Sequence, residues 1–306
     1  MNKPLLSILS ITYNHEKYIA QAIESWLMQK TDFDIEIVIG EDCSTDNTRE
    51  IIESYWEKHP KLFRVITSDT NVGMMPNFIR TLEACKGKYI ALCEGDDYWT
   101  DPYKLQKQVD FLEGNEEFVI CFHQVKVLRN NFIIEDFITK DVPEVTVFDD
   151  LIDGNYIHTP SVVFRNILTD VTLPKNFVNT PLGDFYLYLI ISQHGKIKKI
   201  REEMAVYRFG VGLWSSNNNE EDKALKLVKT YRLAGEGLNN LKLIEKFYLV
   251  LINYSKRGLI VDRFVSNELE GEILNSYKPQ GLAINISFKT LILALAIKIK
   301  RKLWIK

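Results

Sequence analysis

Apolar and polar residues follow two different periods over the first hundred residues. Leu6–Thr12, Ile35–Ile39, Phe63–Ile66 and Tyr89–Cys93 are short, apolar and rich in β-branched or aromatic residues, which predicts buried strands. The segments between them carry apolar residues three or four positions apart, as in Tyr18–Leu27, which is the spacing of a helix with one buried face. Strands that alternate with helices predict an α/β fold with a mostly parallel central sheet flanked by helices.

The pattern changes after this first region. A helix is predicted over Lys104–Leu112. A pair of strands that turns at Asn130-Asn131 is predicted after it, with Phe118–Leu128 and Asn131–Ile138 as its members. Further predicted elements are a short helix Phe148–Ile152, a strand Ser161–Phe164, an apolar helix Phe185–Ser192 and a strand Ala205–Arg208. The polar run Asn217–Asp222 interrupts the pattern, and Leu225–Leu259 then has helical spacing. The sequence therefore predicts an α/β domain over residues 1–216 and a helical C-terminal region over residues 217–306.

Composition excludes few classes of protein. The chain has 306 residues, 46% hydrophobic and 26% charged, which is ordinary for a globular protein. Its net charge of -3 gives no reason to expect nucleic-acid binding. The four cysteines form neither a CxxC pair nor a zinc-binding spacing, so we interpret them as reduced thiols of a cytoplasmic protein. The N-terminal residues continue directly into the first predicted strand without a signal-peptide pattern, so we expect no signal peptide.

The C-terminal segment differs in charge from the rest of the chain. No acidic residue follows Glu272, and the apolar run Leu291–Ile297 is followed by a basic end that contains Trp304. The apolar run is shorter than the about 20 residues that span a bilayer. An apolar helix with a basic, Trp-bearing end suits the surface of an anionic leaflet, which predicts peripheral binding at the inner face of the cell membrane. The alternative is a helix that packs on the protein and leaves its basic end in solvent.

The most informative run of residues is Cys93–Trp99. It places Glu94, Asp96 and Asp97 directly after a predicted buried strand, at the edge of the sheet where open α/β folds bind ligands. Adjacent carboxylates repel each other, and burying them unpaired costs several kcal/mol. A divalent cation with a preference for hard oxygen ligands, Mg²⁺ or Mn²⁺, removes that conflict and commonly holds the phosphates of a substrate. The run therefore predicts an enzyme that uses a phosphorylated donor.

Nucleotide-binding motifs of two common kinds are absent from the sequence. No GxGxxG follows the first strand, and no GxxxxGK[ST] occurs in the chain, which argues against a dinucleotide-binding Rossmann site and a P-loop. Asp42 follows the second strand as Asp97 follows the fourth, and we expect it to contact a base or ribose. The alternative is that Asp42 only caps the following helix, as we expect of Asp46.

Four motifs, taken in their order and spacing over Leu5–Leu112, resemble those of the family 2 glycosyltransferases. They are Ser10–Asn14, Glu41–Thr48, Asn71–Gly73 and Glu94–Trp99. Three further segments extend the resemblance to about Ser216: His158–Arg165, Gly183-Asp184 and Val206–Arg208. The resemblance implies the GT-A fold, with residues 1–216 as the catalytic domain and residues 217–306 as a helical extension.

The resemblance also implies roles for individual residues. It implies an inverting transfer from a nucleotide-sugar donor, with Mn²⁺ or Mg²⁺ bound by Asp97 and with Asp184 as the general base. Asp184 also suits the first turn of a helix, and a capping role and a catalytic role are compatible. The residues that would contact the donor are Thr12, Tyr13, Asn14, Asp42, Asn77, Asp96 and Arg208.

The chain departs from the family pattern after Tyr207-Arg208. Many relatives carry a His two residues further on, in a loop that closes near the diphosphate, whereas Phe209–Trp214 contains none. Arg208 therefore has two open interpretations, a phosphate contact or a structural ion pair. His158 remains a weak candidate on the acceptor side. Trp99 and Trp214 are candidates for stacking on a sugar face.

Three functions are compatible with these patterns. The first is transfer of a sugar from a UDP-sugar or similar donor to a glycan or lipid-linked acceptor, in bacterial surface polysaccharide synthesis. The second is a sugar-1-phosphate nucleotidyltransferase, although Thr12–Lys17 lacks the Gly-rich loop expected of one. The third is a non-catalytic glycan-binding protein on the same fold, which the presence of Asp97 and Asp184 disfavours.

Overall fold

The computed structural model of this protein describes residues 3–168, 171–212, 214–216 and 219–256. Two compact units follow one another along the chain, Met1–Asn217 and Asn218–Lys306, and each is described by itself. The C-terminal tail from residue 257 onwards, with its predicted membrane-binding segment, lies outside the described residues. Its role stays a prediction from the sequence.

The described residues of the first unit form one sheet of ten strands. Their bounds are β1 Leu6–Thr12, β2 Ile35–Glu41, β3 Phe63–Ile66, β4 Tyr89–Leu92, β5 Tyr98–Trp99, β6 Phe118–Arg129, β7 Phe132–Glu135, β8 Val145–Thr146, β9 Val163–Arg165 and β10 Lys196–Arg208. The main strand order is β3-β2-β1-β4-β9-β6-β10-β5, with β7 paired to β6 and β8 paired to β10. Six strands, β1 to β4, β6 and β10, point the same way, so their carboxyl ends meet at one edge of the sheet.

In the part of the first unit that the structure describes, six α-helices connect or flank these strands. They are α1 Ile19–Leu27, α2 Thr48–Lys58, α3 Met74–Ala84, α4 Lys104–Gly114, α5 Phe148–Ile152 and α6 Gly183–Ser192. Helix α1 buries Ile19, Ile23 and Trp26 and exposes its other face, as its apolar spacing predicts. Helix α6 is apolar on all sides, and every residue from Phe185 to Ser192 is buried. A helix of this kind belongs in the core, which fixes the position of Asp184 at its first turn.

The sequence predictions are confirmed for most of these elements and wrong at four places. Strand β10 begins at Lys196 rather than Ala205, because its first half alternates apolar residues with lysines and has no continuous apolar run. The two-residue strands β5 and β8 were not predicted, since such short segments have no readable period. The predicted strand Ser161–Phe164 is a 3-10 turn, Thr159–Ser161, followed by β9. The predicted helical stretch that begins at Leu225 contains, as far as residue 256, two helices rather than one.

The second unit contains the helices α7, Glu220–Gly237, and α8, Leu241–Lys256. Asn219 caps α7, because its side-chain Oδ1 accepts a hydrogen bond from Glu221 N at 2.9 Å. Asn239 has a φ of 48°, a left-handed conformation that interrupts the helical backbone and separates α7 from α8. None of the helices in the described part of the chain is long and apolar enough to cross a bilayer.

One lysine of the first unit, at the start of α4, is fully buried. Lys104, the first residue of α4, has no exposed surface; its Nζ donates to Gln108 Oε1 at 2.8 Å and lies 4.3 Å from the centre of the Trp99 ring. Burial lowers the pKa of Lys104 to about 7, because a low-dielectric environment penalises the charged form.

We expect Lys104 to make stability depend on pH in the alkaline range. Between pH about 7 and the ordinary lysine pKa of 10.5, the unfolded chain binds a proton that the folded chain does not, so this group makes folding more favourable as pH rises. Thermal unfolding of the wild type and of Lys104→Met, compared from pH 7 to pH 10, should show the wild type gaining stability relative to the variant. A constant difference across that range would mean that Lys104 keeps its proton in the fold.

Candidate active site

The acidic loop, residues 94–97, follows β4 at the edge where the parallel strands end. Asp96 and Asp97 are buried. Burial raises the pKa of Asp97 well above its usual range, and the neighbouring Asp96 carboxylate raises it further. Burial also raises the pKa of Glu94, which lies beside them, and the charges of Asp96 and Asp184 add to this effect. An arrangement that disfavours negative charge this strongly suits a site that takes up a cation.

Arg208, the last residue of β10, ties that strand to the acidic loop. Its backbone N donates to Asp97 Oδ1 at 2.7 Å, and its Nε donates to the carbonyl oxygen of Asp96 at 2.6 Å. Its Nη2 donates to Gln21 Oε1 at 2.7 Å, and the guanidinium lies 4.8 Å from the centre of the Tyr18 ring. These contacts favour a positioning role for Arg208 over the direct phosphate contact that the sequence left open.

Asp184 approaches the acidic loop from the first turn of α6. Burial raises the pKa of its carboxyl group, whereas the backbone N–H groups of the helix N-terminus and the side chain of Asn155 lower it. Asn155 Nδ2 donates to Asp184 Oδ2 at 3.3 Å. The charge of Asp184 in turn raises the pKa of Glu94, which places the two carboxylates near each other. The structure therefore brings together Asp184 and the acidic loop, which lie far apart in the sequence.

A histidine-aspartate pair borders the same region. His158 Nε2 lies 3.0 Å from Asp136 Oδ2, and the His158 ring packs against Tyr207 with 4.8 Å between centroids. Burial alone would raise the pKa of Asp136, but hydrogen bonds from His158 and Thr139 bring it down to about 2. His158 also lowers the pKa of Asp184. The weak sequence candidate thus lies within electrostatic reach of the predicted base.

Asn14 and Asp42, the candidates in the loops that follow β1 and β2, are hydrogen-bonded to neighbouring loop residues. Asp42 accepts hydrogen bonds at both carboxylate oxygens, from Val72 N and Gly73 N, each at 2.9 Å. Asn14, with a φ of 57°, accepts a hydrogen bond from Thr45 N at 2.8 Å. Asp42 and Asn14 therefore shape the loops of this edge, and a ligand would have to use their remaining lone pairs.

Thr12 and Tyr13 occupy the same edge with different exposure. The Thr12 hydroxyl is buried without a hydrogen-bond partner among the described residues, and a Cβ placed on Gly95 would lie 2.9 Å from it. Tyr13 is exposed. An unpartnered buried hydroxyl beside the acidic loop is a group that a ligand can satisfy.

The side chain of Asn77, which the resemblance places at the donor, is engaged by neighbouring protein groups. Its side chain is buried inside α3, where Nδ2 donates to Gly40 O at 2.8 Å and Oδ1 accepts from Arg80 Nε at 2.9 Å. Both ends of the amide are thus engaged between α3 and the neighbouring strand. We assign Asn77 to packing rather than to donor contact.

Two residues of the site were given no individual role in the sequence analysis. Glu94 shares the acidic loop, and its place in the motif Glu94–Trp99 was a signal that could have included it. The ring of His15 has a buried Nδ1 without a partner among the described residues, 2.9 Å from a Cβ placed on Gly95. Burial raises the pKa of Asp96, and the electrostatic interaction with His15 opposes that rise. The position of His15 directly after Ser10–Asn14 was the only sequence signal for it.

Comparisons with known proteins agree with this geometry. The family model described as glycosyl transferase family 2 matches residues 7–168, which is more than half of the chain. The chain belongs to glycosyl transferase family 2. An uncharacterised protein of Mycobacterium tuberculosis is 40% identical over 220 residues, 71% of this chain and 63% of the relative. TuaG of Bacillus subtilis, named for teichuronic acid biosynthesis, is 31% identical over 156 residues, 51% of this chain and 60% of TuaG. The chain thus spans less than two thirds of the length of these relatives.

Two solved structures share the fold of this family 2 chain. S. aureus TarS in complex with UDP has a TM-score of 0.58 at 19% identity and covers 87% of this chain and 73% of its own. The mannosyltransferase PcManGT from Pyrobaculum calidifontis, in complex with GDP-Man and Mn²⁺, has a TM-score of 0.54 at 15% identity, covering 96% and 87%. The predicted GT-A fold is confirmed.

The residues of this family 2 site fit a divalent cation of the Mg²⁺ type. No group of three or more His, Cys, Asp or Glu side chains with metal-binding geometry occurs among the described residues. Mg²⁺ is commonly held by one or two carboxylates together with substrate phosphates and water, so a complete protein cage is not required. Asp97, with its strongly raised pKa, and the adjacent Asp96 supply such a pair.

We expect Asn155 to set the acidic limit of the pH range in which Asp184, the predicted base, is ionised. Asn155→Ala removes the hydrogen bond that lowers the Asp184 pKa, so this pKa should rise. Because a general base must be ionised, the acidic limb of the pH–rate profile should move to higher pH. The transfer rate measured against pH for wild type and variant tests this. An unmoved limb, or one moved to lower pH, would contradict the contact's role.

Proposed function

We propose that this chain is an inverting glycosyltransferase that moves one sugar from a nucleotide-sugar donor to a hydroxyl group of an acceptor. The observation that carries the proposal is the meeting of Asp184 with the acidic loop, residues 94–97, at the carboxyl edge of the sheet. Open α/β folds bind their ligands at this edge. Family membership supports sugar transfer as the reaction. We assign the acidic loop to the donor side of the site and Asp184 to the acceptor side.

In the proposed mechanism Asp184 activates the acceptor, and the acidic loop holds the donor. Asp184 accepts the proton of the acceptor hydroxyl as its oxygen attacks C1 of the sugar, and the bond from C1 to the diphosphate oxygen breaks. Its raised pKa makes the carboxylate a better proton acceptor than an exposed Asp. Attack on the face opposite the departing diphosphate inverts the configuration at C1. Asn155 holds the carboxylate through Oδ2 during this step.

On the donor side, Asp97 would hold Mn²⁺ or Mg²⁺, and Asp96 would assist as a second ligand or contact the ribose or sugar. When bound, such a cation offsets the negative charge that develops on the diphosphate. Arg208 keeps Asp97 in place through its backbone N–H, and its guanidinium fixes the carbonyl of Asp96. Thr12 offers its unpartnered hydroxyl to the donor, and Asp42 holds the loop beside it.

For the substrates we propose a UDP-sugar as donor and a glycan or lipid-linked acceptor in bacterial surface polysaccharide synthesis. The TarS structures that share the fold contain UDP or UDP-GlcNAc, and TuaG carries a name from teichuronic acid biosynthesis. PcManGT binds GDP-Man with Mn²⁺, so a GDP-sugar is the next candidate. The basic, apolar sequence around Leu291–Ile297 supports a peripheral location at the inner face of the membrane.

A thermal-shift screen tests the proposal. UDP-, GDP-, dTDP- and CMP-sugars are added to the full chain with Mn²⁺ and with EDTA. We expect one nucleotide class, the UDP-sugars, to raise the melting temperature, and only in Mn²⁺, because a ligand that binds the folded state alone stabilises it. Stabilisation by a nucleoside triphosphate together with a sugar-1-phosphate would instead identify a nucleotidyltransferase. Equal stabilisation in EDTA would contradict the proposed metal.

A further inference from the structure

A β-hairpin on the first unit exposes an unusual amount of apolar surface. Strands β6 and β7 turn at Asn130 and Asn131, whose φ angles of 51° and 64° give the turn that twists with the strands. All of β7 is exposed: Phe132 by 71%, Ile133 by 57% and Ile134 by 39%. Phe137, just after β7, is 49% exposed. Clustered exposed apolar side chains of this size mark an interaction surface.

The apolar side chains cover both faces of the hairpin. Successive residues of a strand point to opposite sides, so Phe132 and Ile134 lie on one face and Ile133 on the other. A protein partner docked on one face would leave the other in water. An apolar medium that surrounds the hairpin would cover both, and a lipid bilayer is such a medium.

A second copy of the chain suits this hairpin less well. The four apolar side chains expose about 400 Å² together, taking about 200 Å² for a whole large side chain. A stable dimer interface takes about 800 Å² from each partner. The outer edge of β7 has no strand partner among the described residues, so its backbone groups need water or lipid headgroups. This limits the hairpin to the interfacial depth of a bilayer.

The charges around the hairpin favour an anionic surface. Arg129, beside the turn, has no ion-pair partner among the described residues; its guanidinium lies 5.3 Å from the Phe137 ring centre and 5.2 Å from that of Phe209. Both acidic residues of the hairpin have partners: Glu135 is paired with Lys126, and the Asp136 carboxylate contacts His158. A guanidinium stacked on aromatic rings still has its N–H groups at the edge of its plane, where they can donate hydrogen bonds to lipid phosphates.

The hairpin rises from the same edge of the sheet as the candidate active site. In the pairing of β6 with β10, Leu128 lies opposite Arg208, the residue that holds the acidic loop. Phe137 packs against Phe209, with 5.3 Å between ring centroids. A surface that binds this hairpin would therefore lie next to the site and not on the far side of the domain.

We propose that the hairpin, residues 129–137, docks at the interface of an anionic phospholipid bilayer. Phe132, Ile133, Ile134 and Phe137 enter the headgroup region, and Arg129 contacts lipid phosphate. This contact is separate from the predicted C-terminal tail. It deepens the proposed function and rests on it in one respect, because it brings the site to the surface that would carry a lipid-linked acceptor.

An environment-sensitive fluorophore placed on the hairpin tests the proposal in the full chain. Ile133→Cys is labelled and mixed with phosphatidylcholine vesicles that contain or lack phosphatidylglycerol. We expect a blue shift that requires the anionic lipid and quenching by lipids brominated near the headgroup. The matched control is Trp56→Cys on α2, a residue that is 42% exposed. The unmodified chain, labelled at its half-buried Cys43, gives the background.

Three outcomes of this experiment overturn the proposal. The first is vesicle binding without a spectral change at residue 133, which assigns all binding to the tail. The second is a change of the same size at residue 56. The third is a protein-concentration-dependent shift without vesicles, which identifies a second copy as the occupant.

A double variant separates this proposal from the proposed function. Phe132→Ser with Ile133→Ser should lower the vesicle partition coefficient about tenfold or more, since it removes two large apolar side chains from the lipid contact. Donor affinity, measured by calorimetry in Mn²⁺, should stay at the wild-type value, because neither residue belongs to the donor site. Wild-type partitioning of the folded variant contradicts the hairpin contact. Failure of the wild type to bind any donor contradicts only the proposed function.

Discussion

Replacing Asp184 with Asn is expected to lower the rate of sugar transfer by about three orders of magnitude and to leave donor affinity within about twofold of the wild type. The Asn side chain keeps the size of Asp and can still accept at Oδ1, but it cannot take a proton from the acceptor hydroxyl. The donor side of the site, with Asp96 and Asp97, is unchanged by this substitution.

Single-turnover transfer and calorimetric donor binding, measured on the same protein sample, separate the two effects. Asp110→Asn, at an exposed residue of α4, is the matched control for loss of one carboxylate and should behave as wild type in both assays. A transfer rate for Asp184→Asn within tenfold of wild type would remove Asp184 as the base. Equal losses in rate and donor affinity would assign it to donor binding instead.

Asp97→Asn is expected to raise the melting temperature of the metal-free protein and to abolish stabilisation by a donor in Mn²⁺. The Asp97 pKa is raised in the fold, so at neutral pH the ionised group opposes folding, and this opposition grows as pH rises from the unfolded to the folded pKa. Asn removes the charge and can keep the hydrogen bond from Arg208 N. It also removes the ligand that the metal requires.

Thermal unfolding of the variant in EDTA, in Mn²⁺, and in Mn²⁺ with a UDP-sugar measures both parts of this expectation. A gain of stability with a loss of function is typical of active sites that store unfavourable charge. Undiminished donor stabilisation in Mn²⁺ would show that the cation is held elsewhere. A lower melting temperature in EDTA would show that the Asp97 charge is compensated in the fold.

The fold could be predicted from the sequence where the spacing of apolar residues matches the residues that the structure buries. The first four strands alternate with helices, and each predicted strand matches an observed one closely, because a strand buried on both faces has a continuous apolar run. The first half of β10 escaped prediction because its buried residue Ile197 is flanked by Lys196 and Lys198. The next buried residue is itself a lysine, Lys199, so no apolar pattern marks the strand. Lys199 itself is paired with Asp141, a partner that no local pattern reveals.

Sequence analysis could predict only those parts of the site whose residues belong to one continuous motif. Asp96 and Asp97 follow directly from the run after β4, but their connection to Arg208 joins residues more than a hundred positions apart. Asn77 was placed at the donor by resemblance, whereas the fold gives its amide to Gly40 and Arg80. The contact of His158 with Asp136 likewise depends on how the strands β6, β7 and β9 pair. Contacts between distant segments are fixed by tertiary packing, which no single-segment pattern contains.

The most direct test of the central claim is calorimetry of a UDP-sugar titrated into wild type, Asp97→Asn and Asp184→Asn, each in Mn²⁺ and in EDTA. The claim is that Asp97 serves a metal-bound donor and Asp184 serves the acceptor. We therefore predict binding to wild type and Asp184→Asn in Mn²⁺, and no binding to Asp97→Asn or to any of the three in EDTA. Wild-type affinity of Asp97→Asn in Mn²⁺, or of the wild type in EDTA, would contradict it.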